Sequence, residues 1–150
     1  MKSKGIEYEQ LNKFVGQWIT HGKILHSNTT PEIKISGTDT YEWLPGEFFL
    51  LHKVNVMVGD DKNETYEIIG FDNLSNLYTM QHYDNRGNSG FMTAIVVDGC
   101  WTFNSENLRF KGGFNADESV FAGVWEQSSD GENWKYFMDI NLQKQANNLK

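Results

Sequence analysis

The sequence has one cysteine, two prolines and no long apolar run. A lone Cys100 excludes an intramolecular disulfide and a cysteine-rich zinc site. No stretch approaches the roughly 18 consecutive apolar residues of a spanning helix, and no apolar segment follows residues 1–9 as a secretion signal requires. Thirteen basic residues stand against 20 acidic ones, a net charge of -7 with no basic block. That balance excludes the electrostatic footprint of a nucleic-acid binder and of a protein docked on anionic membrane. Without a signal or disulfides the expected location is the cytoplasm, and the sequons at Asn28, Asn63 and Asn73 read as turn chemistry. Cys100 follows a tight-turn signal beside Trp101 with no nearby His, so a packed thiol is expected rather than a nucleophile.

What is present is aromatic and glycine-rich: 14% Phe, Trp and Tyr, with 14 glycines among 150 residues. Aromatics favour strands, and the length suits one domain over 1–150 with a sizeable core. Residues 6–15 carry Leu11, Phe14 and Val15 at i, i+3 and i+4, a narrow helical stripe too short to stand alone. Gly16 suits the position just past a helix end, and Trp18 is placed to plug one end of a barrel. Strand patterns then recur over 18–26, 33–44, 48–57, 65–71, 77–83, 91–97, 101–103, 108–114, 120–126 and 134–142. Polar or glycine turns separate them, and Asp98-Gly99 is the strongest hairpin signal. The tail, 143–150, is expected to fray.

About ten strands joined by short loops form an antiparallel meander. Such a meander closes into an up-and-down barrel, which removes its edges. The expected fold is therefore all-β, an antiparallel up-and-down β-barrel with a short N-terminal capping helix.

Side-chain parity from Trp18 gives an expected interior. It contains Thr20, Gly22, Ile24 and His26, then Tyr41 and Trp43 with Asp39, then His52 on the more apolar face of the third strand. The fifth strand leaves its face open, so His82 and Tyr83 both stand as lumen candidates. Phe110, Phe114, Trp134, Tyr136 and Met138 complete the set, with Gly112 as a small lumen-facing position. Asp39 either pairs with a buried base or sits at the barrel rim, and the rim is the reading adopted. His21, His26, His52 and His82 show no metal-ligand spacing, so no metal site is expected. Acidic pairs such as Asp60-Asp61 lie in turns, where a shielded catalytic carboxylate is not expected.

The run Phe14-Val15-Gly16-Gln17-Trp18, then 41–48 with Tyr41-Glu42-Trp43-Leu44-Pro45-Gly46, then Ile69-Gly70-Phe71-Asp72 resembles an uncharacterised bacterial family of lipocalin-like barrels. That family is placed in the calycin superfamily with lipocalins, fatty-acid-binding proteins and nitrobindins. The resemblance implies a calycin-like barrel, and a mainly aromatic lumen with a few polar groups points to binding of a small hydrophobic or aromatic molecule as carrier or sensor, with enzyme activity left open as the less expected reading. The helical lid and the Arg-x-Tyr of fatty-acid carriers are missing here. A lidless ten-stranded barrel resembles the haem-binding nitrobindins more, so a haem-binding or small enzyme barrel using an interior His is the alternative. A structural or interaction module with a filled barrel is the second.

Overall fold

The computed structural model describes residues 4–25 and 31–146. His26 and the Asn28 sequon lie outside the described residues. A short helix, α1 (Ile6–Asn12), precedes ten strands: β1 (Gly16–Ile24), β2 (Ile33–Trp43), β3 (Leu50–Val58), β4 (Asp61–Asp72), β5 (Leu77–Asp84), β6 (Ser89–Val97), β7 (Cys100–Asn104), β8 (Leu108–Phe114), β9 (Val120–Gln127) and β10 (Lys135–Lys144). Each strand pairs antiparallel with its neighbour in sequence, and β1 also pairs with β10, so the sheet closes into a barrel. Closure satisfies every strand edge.

Turn chemistry sets much of this register. Asp98 and Gly99 both take positive φ (51° and 80°), the two-residue hairpin geometry that pairs Val97 with Cys100. Gly46 at φ 90° supports the turn in which the Glu47 N–H donates to the Leu44 carbonyl at 2.8 Å. Gly59 (φ 62°) lets β3 and β4 join through two residues, pairing Val58 with Asp61. The polar segment 61–63, expected as loop, is therefore strand.

Three further expectations are corrected. The helix ends at Asn12, not residue 15, and Gly16 is the first strand residue with φ 139°. Residues 143 and 144 do not fray, because β10 runs to Lys144, which pairs with Trp18 across the seam. Cys100 is exposed, since Trp101 takes the inward parity of β7 and turns its neighbour outward.

The helix closes one end of the barrel. Tyr8 and Leu11 on α1, with Phe14 just beyond it, are buried among Trp18, Tyr41, Leu50, Ile69, Tyr78, Met80, Trp101 and Phe121. Trp18 is 0% exposed and its indole N–H donates to the Phe14 carbonyl at 2.8 Å. Two side chains tether α1 to the wall: the Tyr78 hydroxyl donates to the Glu7 carbonyl and the Trp43 indole donates to Asn12 Oδ1, each at 2.8 Å. Too short to be stable alone, α1 is held by this burial and by Glu7 and Glu9, which complement its N-terminal dipole.

Candidate functional site

Packing fills the lumen next to α1. Beyond it lies a cavity of about 280 Å³, near the lower end of the roughly 300–1,000 Å³ typical of small-molecule sites. Its walls differ in chemistry. One is aromatic: Phe103 and Phe110 stack with centroids 4.7 Å apart, and Trp125 meets Phe110 at 5.3 Å. The opposite wall carries Thr20 from β1, Asp39 and Tyr41 from β2, and His52 from β3. Thr20 and His52 share the inward parity of buried Trp18 and Leu50 on their strands, and Asp39 and Tyr41 that of buried Ile35 on β2.

His52 organises the polar wall. It is held from both sides, with Nε2 donating to Asp39 Oδ2 at 2.6 Å and Nδ1 to Glu67 Oε1 at 2.9 Å. The Thr20 hydroxyl donates to Asp39 Oδ1. Asp39 is 6% exposed and Glu67 8%. Burial by itself lowers the His52 pKa, but hydrogen bonds to Asp39 and Glu67, and their negative charge, outweigh it and raise the value to about 9. His52 is thus an imidazolium at neutral pH, with both N–H groups used. Its ring lies flat on Tyr41, centroids 3.9 Å apart. The Tyr41 phenol is pushed well above its ordinary pKa by burial first and by the two carboxylates second, so it stays neutral.

This arrangement has chemical consequences. An imidazole acting as general base must turn one unprotonated nitrogen towards its substrate, and a haem-ligating imidazole must turn one to the iron. His52 has neither nitrogen free and does not fit either role. Among the described residues no group of three His, Cys, Asp or Glu side chains is arranged to hold a metal ion, and Asp39, His52 and Glu67 spend their facing atoms on one another.

The sequence-derived candidates divide into four groups. Tyr41, His52, Phe110 and Met138 line the cavity. Trp43 and Phe114 face inward but belong to the plugged end, Trp43 tied to Asn12 and Phe114 packed on Phe14 and Phe121. His82 shares the inward parity of Tyr78 and Met80 and rests against Gly90, beside the cavity rather than on its wall.

Tyr83, Trp134 and Tyr136 are corrections. Tyr83 has the opposite parity on β5 and is 53% exposed. Trp134 precedes β10 and lies under the guanidinium of outward-facing Arg109, 4.4 Å from its ring centre. A β-bulge between Tyr136 and Met138 breaks the period-2 pattern, so Met138 points in while Tyr136 is 44% exposed. Asp39 is also corrected: it pairs with a buried base and is not a rim residue. Gly112 faces inward, but a Cβ there would overlap the Ala122 carbonyl and the Phe110 ring, so no side chain fits.

Sequence reading did not single out Glu67. Its signal was a charge at inward parity between Thr65 and Ile69, but an alternating segment of mixed polarity does not declare its inner face. A shallower depression of about 660 Å³ lies outside the lumen near Ser128, Asp130 and Asn133. There the Ser128 hydroxyl and the Asp130 carboxylate are committed to the turn, accepting from the N–H groups of Gly131, Glu132 and Asn133.

A closed ten-stranded barrel, plugged at one end and hollow beyond the plug, defines a class of lumen-bearing β-barrel proteins. Within it, the chain belongs to the family described as "Protein of unknown function (DUF1579)", which matches residues 3–119, from α1 to the last residue before β9. The crystal structure of Rv2717c from M. tuberculosis is similar, with a TM-score of 0.64 and 9% identity, covering 96% of this chain and 100% of that one. At that identity the likeness is one of fold. No curated protein matches the chain. Among the described residues no helix is long and apolar enough to cross a membrane.

Proposed function

We propose that this barrel binds a small, largely apolar molecule in its lumen as a carrier or sensor. The observation that carries this reading is the cavity itself: about 280 Å³ of space beyond a well-packed plug, with an aromatic wall facing one polar cluster. Ligand pockets combine apolar lining with a few fixed polar groups in this way. The polar cluster is held rigid by its own hydrogen bonds, so it orients a ligand with little reorganisation on binding. The resemblance to lipocalin-like barrels supports the same reading.

Native mass spectrometry of the protein as expressed tests it, since a retained ligand adds mass. In parallel, an apolar fluorophore is expected to brighten on saturable binding and to quench Trp125. Val54 lines the open part of the cavity, and Val54→Phe is expected to weaken that binding without unfolding the barrel. Unchanged binding in this variant, or none in the natural chain, overturns the reading.

A further inference from the structure

The two walls of the cavity differ in charge as well as in polarity. Asp39 and Glu67 bring two carboxylates to one imidazole, and His52 has only two N–H groups, one for each. Carrying its proton, His52 offsets one carboxylate charge and leaves the other. The Thr20 hydroxyl adds a hydrogen bond to Asp39 but no charge. Among the described residues that line the cavity there is no Lys or Arg. His82 lies opposite Glu67 in the strand register, with its ring against Gly90.

Of the two carboxylates, Asp39 is the one exposed to the cavity, and Glu67 sits behind His52. A carboxylate has about four acceptor sites. Thr20 and His52 occupy one on each Asp39 oxygen, which leaves acceptor capacity on a carboxylate that lines the cavity. Across the lumen, Phe103, Phe110 and Trp125 line the cavity, and aromatic surface attracts cations as well as apolar groups.

We propose that the molecule bound in this cavity is a small organic cation, a protonated amine on an aromatic or compact apolar body. Its nitrogen is set against Asp39 and its body against the Phe103, Phe110 and Trp125 wall. The inference rests on the lumen-binding reading and names the ligand class for it. The same uncompensated charge acts against carboxylates. A fatty acid or an aromatic acid would add a second negative charge in a site of low dielectric whose imidazolium, His52, already has both N–H groups on Asp39 and Glu67.

Three probes of nearly equal size test the inference: 2-phenylethylamine, 2-phenylethanol and 3-phenylpropionate, titrated calorimetrically into the full chain at pH 7. The amine is expected to bind about tenfold or more tighter than the alcohol, with the acid weakest. Asp39→Asn is expected to bring amine and alcohol within about threefold of each other. Glu67→Gln removes the same formal charge from behind His52 and is expected to act in the same direction. His52→Gln raises the net negative charge and is expected to keep or widen the amine preference. A merely structural role for the cluster would not give opposite signs for these variants.

Equal binding of amine and alcohol by the natural chain, or tighter binding of the acid, overturns the cation inference and leaves lumen binding standing. Failure of all three probes to bind overturns both. The natural-chain series decides alone if a variant does not fold by circular dichroism.

Discussion

His52 stacks on Tyr41 at 3.9 Å between ring centres, with the two planes within 7° of parallel. The two residues are direct partners in the β2–β3 register, so the sheet itself imposes the stack. Because the upper ring is an imidazolium, the contact is electrostatic as well as apolar. It fixes the imidazole plane so that both nitrogens meet their carboxylates.

Protonation of His52 therefore makes stability depend on pH. The folded pKa of about 9 lies above the ordinary 6.5, so the native state holds the proton more tightly than the unfolded chain. This contribution is fully present below about pH 6.5 and is lost as pH rises through about 9. Denaturant midpoints are expected to fall across that window in the natural chain, and the His52 imidazole resonances are expected to titrate near its upper end. A midpoint that is flat or rises from pH 6.5 to 9 would refute the assignment.

Removing His52 leaves two largely buried carboxylates facing each other. His52→Ala is expected to cost about 3–5 kcal/mol at neutral pH, the usual result of breaking a buried ionic group from one side. The double variant His52→Ala, Glu67→Gln is expected to recover part of that loss. Equilibrium unfolding in urea measures both, and additive losses would contradict the coupling.

Trp18 is fully buried at the plugged end and donates to Phe14. Trp18→Ala is expected to destabilise the barrel by about 3–5 kcal/mol, the range for truncating a buried large aromatic. A denaturant midpoint equal to that of the natural chain would show that the plug does not depend on it.

Two inward positions should respond oppositely to added volume. At Gly112 one methyl would meet backbone across the sheet at Ala122 and Gly123, so Gly112→Ala is expected to cost about 1–3 kcal/mol. Val54 faces open cavity, and Val54→Phe is expected to change stability by less than about 1.5 kcal/mol while reducing probe binding. Thermal unfolding of the two variants side by side gives the comparison.

The barrel was legible because its signals are local. Asp98-Gly99 announces its own hairpin, and parity from Trp18 carries Thr20 inward without knowledge of any other strand. Parity likewise brought Asp39, Tyr41 and His52 to the correct side. The ion cluster was not legible, because it depends on three strands meeting in register: His52 opposes Tyr41 on one side and Glu67 on the other. An isolated strand carries no record of that alignment. The errors at Trp134 and Tyr136 have a related cause. Each needs knowledge of where β10 begins and where its bulge falls, and a bulge resets parity without leaving a mark in the alternation.

The seam of the barrel bears on how the chain reaches this state. Its last pairing joins Trp18 on β1 with Lys144 on β10, so the first strand waits for the last. During synthesis, β1 and the growing front of the meander both present unpaired edges until β10 has left the ribosome. Neighbouring hairpins can form as they emerge, but the closing contact spans nearly the whole chain and comes late. Nascent chains stalled before β10 are therefore the species most exposed to strand exchange with one another, and the vulnerable period ends with a single docking event.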